Sequence, residues 1–183
     1  ITYGTMSEIV FIDENEKLSS AFNNEFKNNS INCIEMYSPK NIYVGTEQAL
    51  YQIINQNKIL KVESDMFRGE RNILSLKIDK DDYLWIGTDS DPNIVNYKDD
   101  KWDFYNYSEG DKSSRIRKIE FNNQNKLWFI TDTKLVTKSG IYWEDYHFDG
   151  NKVYDFDFIN DSLVIVGTEN GIWKVEVNNN IIE

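Results

Sequence analysis

Short apolar runs recur along this chain at a near-constant interval, and a Gly-Thr pair marks almost every copy. The pairs are Gly4-Thr5, Gly45-Thr46, Gly87-Thr88 and Gly167-Thr168, with Ile130-Thr131 in the remaining place. The threonines stand 41, 42, 43 and 37 residues apart. Just before each pair lies a stretch such as Ile42-Tyr43-Val44, Leu84-Trp85-Ile86 or Leu127-Trp128-Phe129. Three consecutive apolar positions leave no face for water, so the pattern predicts a strand covered on both sides. Nine residues ahead of the glycine position stand Met36, Ile78, Phe121 and Phe158, and two residues earlier Ile34, Leu76, Ile119 and Phe156. That spacing has period two and predicts a second strand preceding the first. The joins between them read Ser38-Pro39-Lys40-Asn41, Asp79-Lys80-Asp81-Asp82 and Asn122-Asn123-Gln124-Asn125. These are turn sequences, because Asn and Asp tolerate positive φ and Pro presets φ.

A third strand follows each pair, as at Ile9 to Ile12, Leu50 to Ile53, Ile94 to Tyr97 and Ile172 to Val177. A fourth, more polar, comes next at Leu18 to Phe22, Ile59 to Val62, Trp102 to Tyr107 and Tyr142 to Phe148, as suits an outer edge. A lone four-stranded sheet with two apolar faces needs cover on both, and radial stacking supplies it. A repeat near 42 fits a propeller blade of about 40–45 residues. A sandwich requires no fixed period, and a β-helix has a shorter coil. The predicted fold class is therefore all-β: a β-propeller fragment of four complete four-stranded antiparallel blades plus a partial N-terminal blade. Residues 1–183 are expected to form a single propeller region, with units at 31–62, 73–107, 115–148 and 153–183 and a partial unit at 1–22. That partial unit lacks its innermost strand. The expectation is a longer protein in which this strand lies upstream of Ile1; the alternative is five blades that close imperfectly.

Composition narrows the function. Of 183 residues, 40% are apolar, 28% charged and 14% aromatic, which suits a packed β core and excludes general disorder. The net charge of −11 repels phosphate backbones and anionic lipid, so nucleic acid is excluded as a partner. No apolar run approaches 18 residues, so no membrane insertion is expected in this segment. The single cysteine, Cys33, rules out an internal disulfide and reads as a small buried hydrophobe. The chain begins at Ile1, consistent with a removed leader or a segment of a longer protein.

Candidate chemistry gathers at the loops after the second and fourth strands, which share one face around the propeller channel. The residue after each threonine is Met6, Glu47, Asp89, Asp132 or Glu169. Stacked radially, the four acids form a partial ring able to hold a hard cation or a partner's basic group. They equally suit hydrogen bonds from their own loops. Arg68, Arg71, Lys112, Arg115 and Arg117 cluster in loops on the same face and fit a carboxylate or sulfate, or pairing with those acids. No cofactor is expected; calcium is the one ion the acidic column suits. Asp89-Ser90-Asp91-Pro92-Asn93 lacks the spacing of a calcium loop. Tyr43, Trp85 and Trp128 read as blade-packing rings. Trp102, Tyr105, Tyr107, Trp143 and Tyr146 are the aromatic candidates for a ligand surface. His147 is the only histidine, and no serine or cysteine motif accompanies it, so no catalytic residue is assigned.

Asp79-Lys80-Asp81-Asp82-Tyr83-Leu84-Trp85-Ile86-Gly87-Thr88 resembles the two-component regulator propeller repeat, whose pattern runs D-x-x-G-x-L-W-I-G-T. Asn125-Lys126-Leu127-Trp128-Phe129-Ile130-Thr131 is a second match, and Ile42 to Thr46 and Val164 to Thr168 are further ones. The family's turn glycine is Lys40, Asp82, Asn125 and Ser162 here. Such repeats occur in extracytoplasmic sensor regions of bacterial hybrid histidine kinases, often tied to polysaccharide use, and in cell-surface secretion components. The resemblance implies a non-catalytic ligand-sensing or interaction propeller, periplasmic or at the cell surface. Its ligand would be a small molecule, glycan or protein on the loop face. A scaffold propeller of a secretion or adhesion system is the alternative. Leu127 to Phe129 also resembles the virginiamycin B lyase propeller, a class that uses paired histidines and a metal; a single histidine argues against that enzyme reading.

Overall fold

A computed structural model describes residues 2–4, 8–12, 15–22, 24–63, 71–91, 93–109, 112–177 and 181–182. The first sheet has three strands: β1 (Thr2–Gly4), β2 (Ile9–Ile12) and β3 (Leu18–Ala21). The second holds β4 (Ile31–Ser38), β5 (Asn41–Thr46), β6 (Leu50–Ile54) and β7 (Lys58–Lys61). The third holds β8 (Ile73–Ile78), β9 (Leu84–Thr88), β10 (Ile94–Lys98) and β11 (Lys101–Tyr105). A small hairpin, β12 (Ser108–Glu109) and β13 (Lys112–Ser113), leads to the fourth sheet: β14 (Lys118–Phe121), β15 (Leu127–Ile130), β16 (Lys134–Ser139) and β17 (Tyr142–His147). The fifth holds β18 (Val153–Asn160), β19 (Leu163–Thr168), β20 (Gly171–Glu176) and β21 (Ile181–Ile182). Every sheet is an antiparallel meander in chain order.

First strands of successive sheets meet, β4 against β8 and β8 against β14, which puts them nearest the shared axis. The apolar cores lie between sheets. Ile9, Phe11, Ile42 and Val44 fill the first wedge, and Leu50, Ile73, Leu76 and Ile86 the second. Ile94, Ile116, Ile119 and Phe129 fill the third, and Ile130, Val153, Val164 and Val166 the fourth. β9 and β15 are buried at every position, whereas β19 alternates between buried and half-buried. Equivalent rings occupy equivalent places. Trp85 stacks on Tyr105 at 5.6 Å and meets Phe121 of the next sheet at 5.9 Å. Trp128 stacks on Tyr146 at 6.0 Å and meets Phe158 of the next sheet at 5.9 Å. The β-propeller fold therefore rests on one contact set, rotated about an axis.

The joins between first and second strands take two forms. Pro39-Lys40 and Asp161-Ser162 are two-residue turns. The joins at 79–83 and 122–126 are wider, and Asp82 and Asn125 sit at φ 64 and 61, the region where the family's glycine would be at ease. Each wide turn is closed by its first side chain. Asp79 Oδ1 accepts from the amides of Asp81 and Tyr83, at 2.9 and 3.0 Å. Asn122 Oδ1 accepts from those of Gln124 and Lys126, at 3.2 and 2.9 Å. The second carboxylate oxygen of Asp79 also accepts from Trp85 Nε1 at 2.8 Å. Asn122 has no second oxygen, and Trp128 Nε1 is buried with no hydrogen-bond partner among the described residues.

The glycine of the Gly-Thr pair is where sheets come closest. A Cβ on Gly45 would lie 2.5 Å from Cys33 Sγ and 2.6 Å from Ile73 Cγ2. One on Gly87 would lie 2.4 Å from Ser75 Oγ and 2.7 Å from the Ile116 carbonyl oxygen. Ile73 and Ile116 belong to the following sheet or its lead-in. In β15 the glycine is replaced by Ile130, and the next sheet has Val153 where the others have Ile73 and Ile116, one methylene smaller, in the same core cluster as Ile130. At Gly167 the nearest atom to such a Cβ is the Asp155 carbonyl oxygen, 3.8 Å away. Main-chain bonds join the same neighbours: Arg71 N to Gln48 O, Ile116 N to Thr88 O and Val153 N to Asp132 O, at 2.9–3.0 Å.

Cys33 lies inside one such contact. Its Sγ faces the Ile73 carbonyl oxygen at 3.8 Å, and burial pushes the thiol up to about 12. An unfolded cysteine ionises near pH 8.5, so the native thiolate fraction at pH 8 is lower by roughly a thousandfold. Iodoacetamide at pH 8 is expected to label native chain at least about a hundredfold more slowly than denatured chain. Equal rates would show that the wedge does not seal this sulfur.

Candidate functional site

The loop face is built by the threonine of each pair. Thr46 Oγ1 donates to the Ala49 carbonyl at 2.8 Å and accepts from the Ala49 amide at 3.0 Å. Thr88 Oγ1 donates to the Ser90 carbonyl at 2.8 Å, and Thr168 Oγ1 to that of Gly171 at 3.0 Å. Thr131 Oγ1 accepts from the amides of Thr133 and Lys134. All four threonines are buried. Each closes the loop between second and third strands and turns the next residue outward. That residue is Glu47, Asp89, Asp132 or Glu169, so the four acids share one edge of the molecule. The structural role of the threonine was not visible in the spacing alone.

Glu47 and Glu169 are exposed, Asp89 and Asp132 half-buried. Asp89 ends a side-chain relay: Asn32 Nδ2 donates to Asn72 Oδ1 at 2.7 Å, and Asn72 Nδ2 to Asp89 Oδ2 at 3.0 Å. Asp132 pairs with Arg117 at 3.2 Å. Among the described residues no three His, Cys, Asp or Glu side chains converge as metal ligands. The acids therefore line an edge as separate groups. Arg71 reaches across to the next loop, donating to the Ser90 carbonyl at 3.3 Å and to that of Asp91 at 2.8 Å. Arg115 is exposed on the lead-in to β14. Arg68 lies outside the described residues, as does Met6. Asn93 is fully buried and fixes the connection behind this face. Its amide donates to the carbonyls of Tyr107 and Ser114, and its oxygen accepts from the Tyr107 amide at 2.9 Å.

The outer aromatic candidates are committed to packing. Tyr105 and Tyr146 cover Trp85 and Trp128. Tyr107 is buried against Phe129 and Trp143, and Trp102 lies 4.5 Å from Tyr97. His147 sits on the outermost strand β17, exposed, with Nε2 3.4 Å from Asp145. Lys134 holds that carboxylate at 2.8 Å. Burial alone would raise Asp145, but the hydrogen bond and charge of Lys134 bring it below its ordinary value.

A cleft of about 410 Å³ opens at the opposite edge, between the second and third sheets, lined by Tyr37, Tyr43, Gln52, Tyr97, Asp99 and Asp100 among others. It went unforeseen because its residues come from strand ends and turns of two different units. The sequence signal was a set of small differences between units, among them Tyr43 and Ile78 where the next units carry Trp and Phe.

No helix among the described residues is long and apolar enough to cross a membrane. Residues 68–90 match the two component regulator propeller model. No curated protein matches the chain in sequence. Among solved structures, it is similar to the extracellular domain of a hybrid two component system from B. thetaiotaomicron, at 21% identity and a TM-score of 0.72 over 98% of this chain and 26% of that one. It is similar to virginiamycin B lyase from Staphylococcus aureus, at 13% identity and a TM-score of 0.77 over 97% of this chain and 62% of that one. It is also similar to YCF48 bound to a D1 peptide, at 11% identity and a TM-score of 0.68 over 94% of this chain and 59% of that one. The chain thus spans less than two thirds of each of these structures. Residues 68–90 are a two component regulator propeller repeat, and the chain around them has the β-propeller fold.

Proposed function

We propose that this chain is a non-catalytic ligand-sensing propeller of an extracytoplasmic receptor, binding a small molecule, glycan or protein on its loop face. The carrying observation is that loops of one construction present different polar side chains on a common edge. Such an edge recognises by combination, with Glu47, Asp89, Asp132, Glu169 and Arg115 as its variable letters. The regulator propeller repeat and the likeness to a two component extracellular domain favour sensing. His147 stands on the outer strand beside Asp145 and Lys134, which suits an ion pair rather than proton transfer in a cleft. A docking role for a protein segment is the second reading, favoured by the likeness to YCF48 in its peptide complex.

The test is a binding screen of this chain against neutral oligosaccharides, sulfated oligosaccharides and short peptides by calorimetry. One class is expected to bind saturably, with affinity at least about tenfold weaker in Asp132→Ala/Glu169→Ala, since losing two polar contacts of about 1 kcal/mol each has that effect. Binding that is indifferent to these loop variants would sink the loop-face reading.

A further inference from the structure

We propose that the cleft between the second and third sheets is a site for an organic cation, an ammonium or guanidinium group held by tyrosine rings and the Asp99–Asp100 turn. This goes beyond the loop-face reading, because the cleft lies at the opposite edge.

The cleft exists because one wedge is under-filled. In the next two wedges the matching places are held by Trp85, Tyr105 and Phe121, and by Trp128, Tyr146 and Phe158. Strand register puts Tyr43, Val62 and Ile78 at those places in this wedge. Every one is smaller than its counterparts. The wedge between the third and fourth sheets retains about 260 Å³, and this one about 410 Å³. The larger volume falls within the roughly 300–1,000 Å³ usual for small-molecule sites.

The neighbouring wedge shows which group such a place takes. Lys138 occupies in β16 the position that Tyr97 holds in β10. Its ammonium lies 4.4 Å from the ring centroid of Tyr105 and 5.9 Å from that of Trp143. The protein thus supplies its own cation to that wedge. In the second–third wedge the corresponding side chain is Tyr97, so no ammonium comes from that position. Lys98, beside it, also lines the cleft, with its ammonium engaged by the Asp81 carbonyl and lying over the Tyr83 ring at 5.0 Å.

Anionic groups outnumber that one ammonium: Asp82, Asp99 and Asp100 line the cleft with Lys98, which leaves the lining net negative. The turn that reads Gly140-Ile141 in the fourth sheet reads Asp99-Asp100 in the third. Tyr97 donates its hydroxyl to Asp100 at 3.0 Å, which holds the ring in place. Gln52 Nε2 donates to Asn41 Oδ1 at 2.9 Å and to the Tyr43 hydroxyl at 3.4 Å, fixing the other wall. Burial, and after it Tyr37, Asp100 and Asp99, push the Tyr43 phenol up, against a hydrogen bond with Asn41 that lowers it, so the acids of one sheet act on the ring of the other. Tyr37 stands half-exposed at the mouth. Ring faces and carboxylates together favour a cation over a neutral or anionic guest.

Trp102 lies against Tyr97, ring centroids 4.5 Å apart, and gives an intrinsic fluorescence reporter. Titration of this chain with n-butylammonium chloride and with the end-capped peptide N-acetyl-Gly-Lys-Gly-amide at low salt is expected to give saturable quenching. Neutral n-butanol and the same capped peptide with Nε-acetyl-lysine, which carries no ammonium, should give none. Tighter binding of the peptide identifies a protein side chain as the source, and tighter binding of butylammonium a free amine; either supports the site. Asp99→Asn/Asp100→Asn keeps residues that tolerate the φ of 50 and 61 found there. It should weaken binding at least tenfold. Tyr37→Leu, at an exposed position, should weaken it about threefold and covers the case that the double variant misfolds. Equal quenching by the neutral isosteres, or binding unchanged in both folded variants, overturns the proposal.

Discussion

Gly87→Ala is expected to cost about 3 kcal/mol and to lower the melting temperature by roughly 6–12 °C. The new methyl carbon would lie 2.4 Å from Ser75 Oγ and 2.7 Å from a carbonyl oxygen of the following sheet's lead-in. A hydroxyl can rotate away, but the Ile116 carbonyl is part of the backbone, and the Ile116 amide is itself bonded to Thr88. Relief therefore requires two sheets to separate. Gly45→Ala should cost somewhat less, because its obstacles are side-chain atoms of Cys33 and Ile73. Gly167→Ala is the control. Nothing lies within 3.8 Å of its Cβ position, so the substitution should be neutral or stabilise by roughly 0.5 kcal/mol, alanine being less costly than glycine to order in a strand. Thermal denaturation of the three variants side by side checks this. Equal losses at all three positions would mean that strand propensity, and not the approach of neighbouring sheets, sets the cost.

The second large effect is a reciprocal exchange at the wide turns. Asn122→Asp is expected to stabilise the chain by about 1–2 kcal/mol, the usual scale for satisfying a buried donor. The same substitution in reverse, Asp79→Asn, should destabilise it by about 1–3 kcal/mol. The two turns bond their backbones alike, and Trp85 and Trp128 stand six residues on from Asp79 and Asn122. They differ in the atom facing the indole. Asp79 presents an acceptor to Trp85 Nε1, whereas the remaining polar atom of Asn122 is a donor. Urea denaturation of both variants measures the two effects with opposite signs. A loss of stability in Asn122→Asp would show that the buried indole nitrogen is not what limits this turn.

The radial repeat could be read from the chain because packing forces it. Second strands covered on both faces produce Leu84-Trp85-Ile86 and Leu127-Trp128-Phe129, and inner strands produce the period-two columns. β16 was harder, since Lys134, Thr137 and Lys138 interrupt its apolar run and Leu135 and Val136 alone carry the burial signal. The β12–β13 hairpin carried no signal, because its short strands lack an apolar face by which to announce themselves. Register shifts near the start of β4, β8 and β18 were equally silent, for an extra residue in a strand leaves the unit length within its ordinary spread. The loop-face acids could be placed on one edge from topology alone. Their partners could not: the reach of Arg71 to the next loop's carbonyls depends on the angle between sheets. The cleft is a difference between units, so the recurrence that marks the blades does not mark it.

The three main-chain bonds from Arg71, Ile116 and Val153 to the preceding loops do not depend on which side chains those loops carry. Any residue except proline can supply the donor at those places, and every residue supplies the acceptor. The angular step from blade to blade is thus decoupled from loop identity. Loop residues are free to diversify with the frame unchanged, so new recognition surfaces can evolve on this scaffold without first being reconciled with its architecture.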